Sequence, residues 1–280
     1  MYKSNLLTFF FTFALFSCAS ATEFRDSQGS QASLEAFLKG VPKGSILVLG
    51  EAHNFEPHQR GQVEIMKSLR DLGHKIDVGM EFLEYPTQTE TQAYRAGELG
   101  EEDYKTKIKW GSFPFELYKE QILFPSARDG ENTWAINAPR SLTSRVSKVG
   151  IAGLTEEEKS LLPPDFKLGN AMYFERFVEA VPHLPPGASE RYFAAQSIWD
   201  DTMAWKAGQA AQEHTLVIVV GEFHVQYGGG LPDRLKARYP GRVVKTLSMI
   251  KASDYEEGSL ESQIQPHPKY GPRADLIRVD

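Results

Sequence analysis

Five apolar runs punctuate the chain: Ser45 to Gly50 (SILVLG), Ile76 to Phe82 (IDVGMEF), Thr133 to Ala138 (TWAINA), Thr215 to Gly221 (TLVIVVG) and Arg242 to Ile250 (RVVKTLSMI). Each is short, nearly continuous in hydrophobicity and rich in branched side chains, the pattern of a strand covered on both faces. The stretches between them have a different period. After the first run, His58, Gln62, Ile65, Leu69 and Leu72 recur at alternating steps of four and three, which puts them on one face of a helix. Buried strands alternating with helices predict an α/β fold, doubly wound, with a mostly parallel sheet. From about 150 to 214 no strand pattern occurs. TEEEKSLL, NAMYFERFVEAVPHL and the run from Ser189 to Ala211 read as helices joined by the proline turns LPPDF and HLPPGAS. This segment is expected to be a helical insertion or cap over the carboxyl ends of the strands.

The first residues, MYKSNLLTFFFTFALFSCASA, place one cation, Lys3, before an apolar stretch from Leu6 to Phe16 and a run of small residues. This is the form of an export leader over residues 1–21, too short for a spanning helix. LFSC sets Leu15 and Ser17 ahead of Cys18 as a lipoprotein signal would, and ASA also suits ordinary cleavage before Thr22. The lipoprotein reading is preferred. It makes Cys18 a lipid anchor to a membrane, residues 22–33 a polar tether, and 34–280 a single domain. Cys18 is the only cysteine, so disulfides and cysteine-ligated zinc are excluded. With 31 Lys and Arg against 37 Asp and Glu the net charge is −6, and no basic block occurs, so nucleic acid is not expected as a partner.

Two of the predicted strands run into the same four-residue pattern. LGEAH gives Gly50, Glu51 and His53, and VGEFH gives Gly221, Glu222 and His224. In extended backbone, residues two apart share a side, so each Glu and His is expected to face one locus beyond the strand ends, where doubly wound sheets bind ligands. Glu81 in GMEF ends a third strand, and His58 near the start of the first helix aims toward the same end. Histidines and carboxylates gathered from separate strands are the composition of an acid–base or divalent metal site, with His53, Glu81 and His224 as metal ligands. The competing reading is that such a Glu caps the next helix and such a His bonds within a loop. Convergence predicts that the strands bearing His53 and His224 are neighbours near the centre of the sheet, with partly buried carboxylates of perturbed protonation. Arg140 in NAPR and Asp200 in WDDTMAW are further candidates near the same rim.

LGEAHNFEPHQ, GMEF, NAPR, WDDTMA and VVGEFHVQYGGGLPDRL, in this order, resemble the ChaN-like haem-binding lipoproteins of the Tiki/erythromycin-esterase superfamily. The resemblance runs from about Leu34 to Ile250. Its ChaN-like branch implies noncovalent haem binding outside the cytoplasm in iron acquisition, with a tyrosine iron ligand and a dimer enclosing stacked haems. Tyr173 is the preferred ligand, with Tyr192 as the alternative. Met172, Phe174, Trp199 and Met203 could cover the porphyrin faces, although at helical spacing such residues also serve as ordinary core. The Tiki and esterase branches instead imply hydrolysis at Glu51, His53, Glu81, Glu222 and His224, metal-dependent in Tiki. Haem binding is the preferred function, and a metal-dependent or metal-free hydrolase the alternative.

Overall fold

A computed structural model of the chain describes residues 22–256 and 258–280. The leader, with Cys18, lies outside the described residues. Seven strands form one sheet: β1 (Glu23–Asp26), β2 (Ile46–Glu51), β3 (Ile76–Glu84), β4 (Thr133–Asn137), β5 (Thr215–Gly221), β6 (Val244–Ile250) and β7 (Leu276–Val279), in the order β1-β7-β6-β2-β5-β3-β4. All neighbours pair in parallel except β1 with β7. The helices in chain order are α1 (Leu34–Lys39), α2 (Glu56–Asp71), α3 (Gln88–Arg95), α4 (Glu101–Lys107), α5 (Glu116–Leu123), α6 (Arg140–Val149), α7 (Glu156–Lys159), α8 (Ala171–Ala180), α9 (Ser189–Ala207), α10 (Leu231–Arg238) and α11 (Ser259–Ile264). No helix among the described residues is long and apolar enough to cross a membrane.

The apolar runs are continuous because both faces are covered. Leu47, Leu49, Val217 and Val219 turn to the face packed by α2 and α5, through Ile65, Leu69 and Tyr118. Ile46, Val48, Ile218 and Val220 turn to the other, where Met203, Ala204 and Ala207 of α9 meet Leu231 and Leu235 of α10. A period of two thus divides each strand between two cores. All five expected strands form.

Two strands lack an apolar run that announces them. β7 closes the parallel array beside β6, and β1 lies antiparallel along it. Residues 22–33, expected as a tether, therefore contain an edge strand, with Thr22 Oγ1 donating to Asp280 Oδ1 at 2.8 Å. EFRD holds its place by backbone pairing, so its polar composition misled. The helical segment also divides. α8 reaches over the strand ends, whereas α9 belongs to the layer on the sheet face.

Candidate functional site

β2 and β5 are adjacent at the centre of the sheet, with Gly50 opposite Val220 and Glu51 opposite Gly221. The two Gly-Glu-x-His segments therefore emerge side by side, and each glycine makes room for the other segment. A Cβ on Gly50 would stand 2.9 Å from Val225 Cγ2 and 3.1 Å from Glu222 Cα, and one on Gly221 would stand 2.7 Å from His53 Cε1.

Glu51 ends β2 almost wholly buried, and its carboxylate is fully engaged. Oε1 accepts from the Tyr118 hydroxyl at 2.7 Å and from His53 Nδ1 at 3.1 Å, while Oε2 accepts from the side-chain amides of Gln59 and Gln62. A carboxylate held by four donors has no freedom left and fixes the ring it bonds. His53 itself is 36% exposed. Its Nδ1–H faces Glu51, which leaves Nε2 toward the cavity. Burial disfavours its charged form, but the bond to Glu51 and the charge of Glu81 prevail and raise its pKa.

The second motif departs from the expected geometry. β5 stops at Gly221, and Glu222 to His224 form a 3₁₀ turn. Three residues per turn send positions two apart to different sides. Glu222 lines the same cavity as the histidines, but its carboxylate is held by Arg273 and Ser248 and bonds neither of them. His224 turns inward and lies between two carboxylates, Asp200 Oδ1 at 2.6 Å from Nδ1 and Glu81 Oε1 at 3.4 Å from Nε2. Burial opposes its protonation, yet the two acids outweigh it and raise its pKa to about 10. Glu81, partly buried but facing this imidazolium, has its pKa lowered to about 2 and also accepts from the Gly221 N–H. Asp200 in turn accepts from the Tyr173 hydroxyl at 2.8 Å. A chain of bonded groups thus runs Tyr173, Asp200, His224, Glu81. His53 with Glu51 flanks it. Glu51, His53, Glu81 and His224 open on one cavity of about 600 Å³, walled on the far side by Phe177, Val181, Trp199 and Phe223.

Other expected positions lie elsewhere. His58 Nδ1 accepts from the Ala52 N–H and stays neutral, its pKa lowered to about 4 by burial. It caps the turn after β2 and does not line the cavity. Arg140 is exposed at the start of α6, near Glu84 and the Lys109 carbonyl. Met203 is fully buried between α9 and the sheet, out of reach of a ligand, and Phe174 packs edge-on against Phe193. As a metal set, His53, Glu81 and His224 are not arranged for it, since both ring nitrogens of His224 face carboxylates, Nδ1 toward Asp200 and Nε2 toward Glu81. Among the described residues no three His, Cys, Asp or Glu are arranged to hold a metal ion.

Tyr173 is 2% exposed and its hydroxyl is committed to Asp200, with its pKa raised well above 10 by burial and by that acid. It therefore does not present a free phenolate to iron. Tyr192 is 41% exposed on the first turn of α9. A third tyrosine, Tyr227, is not among those the sequence pattern singles out. It lies in a cleft of about 180 Å³ under α8, with Met172, Arg176, Gly229 and Tyr270. Its backbone is left-handed, φ 60° and ψ 20°, a strained conformation for a bulky residue. No hydrogen bond to its hydroxyl occurs among the described residues, and His267 and Tyr270 stand edge-on and tilted beside its ring. QYGGG, a tyrosine amid glycines straight after a histidine motif, was the available signal.

Arg176 crosses from this cleft to the cavity. It donates to the Phe223 carbonyl and Gln226 Oε1, both at 2.8 Å, and lies over the rings of Phe223, Tyr173 and Tyr227 at 4.1, 5.0 and 5.7 Å. It is 6% exposed, and no carboxylate lies within 4.0 Å of it among the described residues. A cation over a ring gains roughly 0.5–2 kcal/mol. Removing a charge from water costs at least several kcal/mol, so neutral contacts alone leave it undercompensated.

A profile of the family described as haem-binding uptake, Tiki superfamily, ChaN matches residues 37–235. No curated protein sequence matches the chain. The structure is similar to that of ChaN of Campylobacter jejuni, solved with cofacially bound haem, at a TM-score of 0.68 and 14% identity over 93% of this chain and 97% of that one. An erythromycin esterase mutant, EreC, in its open conformation is similar at 0.51 and 11% over 91% and 97%. A Bacillus cereus protein is similar at 0.50 and 11% over 92% and 94%. With the profile spanning most of the chain and the fold agreeing, the protein is a member of the ChaN family of haem-binding uptake proteins in the Tiki superfamily.

Proposed function

We propose that the protein binds haem noncovalently at the α8 face and serves haem or iron acquisition outside the cytoplasm, anchored through Cys18. The observation that carries this reading is the match of residues 37–235 to the haem-binding family. The surface of the α8 region supports it. Leu168, Met172, Val178 and Tyr192, 38–51% exposed, cluster in sequence between 168 and 192 and offer apolar contacts to a flat porphyrin. Tyr227 supplies the iron ligand, a hard phenolate oxygen suited to ferric iron. ChaN of Campylobacter jejuni holds cofacial haems. Two copies of this chain facing each other across α8 would enclose stacked haems between them.

Hemin titration tests this reading. A red-shifted Soret band saturating near one haem per chain is expected, and no spectral change at any ratio overturns it. Tyr227→Phe removes the ligand oxygen while keeping the ring. Affinity should fall about tenfold or more, with loss of the tyrosinate charge-transfer band. An unchanged spectrum moves the ligand to Tyr192.

A second reading is favoured by the His53–Glu51 pair opening on the 600 Å³ cavity. When neutral, His53 takes a proton from water at Nε2, with its Nδ1–H held by the Glu51 carboxylate, and the activated water attacks a carbonyl carbon in the cavity. The site is then a metal-free hydrolase. Release of p-nitrophenol from p-nitrophenyl acetate, abolished in His53→Ala and undiminished by chelator, is the expected result. Equal rates in the variant dismiss it.

A further inference from the structure

We propose that the cleft beneath α8 is a carboxylate-binding subsite whose charge is supplied by Arg176. The guanidinium is buried and lines the cleft with Asn170, Tyr227 and Gly229. Its hydrogen bonds go to neutral oxygens of Phe223 and Gln226, which fix its plane and leave further N–H groups for a ligand. The surrounding acids are taken. Asp200 holds Tyr173 and His224, Glu222 holds Arg273, and Glu175 and Glu179 hold Lys269, with Glu179 also accepting from Tyr270. A buried guanidinium without an anion, facing a cleft, is completed by one from outside, and a planar fork selects a carboxylate.

The cleft, about 180 Å³, is too small for a porphyrin but admits a carboxylate on a short alkyl arm. In the haem reading, on which the identity of the ligand rests, that arm is a propionate, with the macrocycle lying across the mouth against Met172. The same subsite would equally take the carboxylate of a free small acid.

Hemin and its iron dimethyl ester, in which both propionates are neutral, are titrated against wild type, Arg176→Gln and Arg176→Lys. Wild type should bind hemin about ten- to a hundredfold tighter than the ester, and Arg176→Gln should erase that difference by weakening hemin alone. Arg176→Lys should recover part of it. Equal affinity of wild type for the two porphyrins, or equal weakening of both in Arg176→Gln, overturns a propionate site; the wild-type comparison stands even if the variant fails to fold. If neither porphyrin binds, the haem reading fails, and succinate then reads the subsite alone. A rise in melting temperature with succinate in wild type that Arg176→Lys diminishes supports it, and no rise overturns it.

Discussion

Asp200→Asn should lose roughly 3–5 kcal/mol of stability in urea denaturation, because it leaves a buried imidazolium with one of its two counterions gone. The amide keeps the shape and can still accept from the Tyr173 hydroxyl, so the loss reports charge more than packing. The pH dependence gives a sharper signature. His224 has its pKa raised from 6.5 to about 10, so its contribution is complete below pH 6.5 and is lost as pH climbs toward 10. Glu81, lowered from 4.5 to about 2, contributes above pH 4.5 and loses that as pH falls toward 2. Wild type should therefore weaken at both ends. In Asp200→Asn the alkaline slope between pH 6.5 and 10 should flatten, and an alkaline slope identical to wild type would show that His224 is not held as an imidazolium.

Gly50→Ala should cost roughly 1–3 kcal/mol in the same measurement, since overpacking at a close approach moves whatever it meets. Here it meets the Cα of Glu222 and the buried Val225, so the turn carrying His224 must shift. Gly79→Ala on β3, which lies on the other side of β5, is the control. Its nearest contact is Ile136 Cδ1 at 3.1 Å, the movable end of a side chain. Equal losses from the two substitutions would mean that the packing of the motifs is unimportant.

The sheet was legible because its central strands carry their own signal: residues buried on both sides must be apolar whatever their neighbours do. The edge was not, since EFRD gains its pairing from LIRV, some 250 positions away in the chain. The convergence of Glu51, His53, Glu81 and His224 followed from strand adjacency, and β2 does lie beside β5. The orientation of Glu222 did not, because it depends on whether one residue after Gly221 continues a strand or begins a turn. Asp200 was visible as an unusual acid among tryptophans, but its pairing with His224 is tertiary. Tyr227 and Arg176 were hidden for a related reason. A strained backbone angle and a missing counterion are properties of the folded chain, with no counterpart in residue order.

The mutual clearance of the two glycines has a consequence for how such a site can change over generations. Whatever occupies position 50 is judged by the turn at 222 to 225, and whatever occupies position 221 by the ring at 53. Neither motif can drift alone. Substitutions there should show strong epistasis, tolerated only when the opposite segment has already given way, so a library that randomises one motif at a time would return almost nothing but the parent, while one that varies both together would find the alternatives.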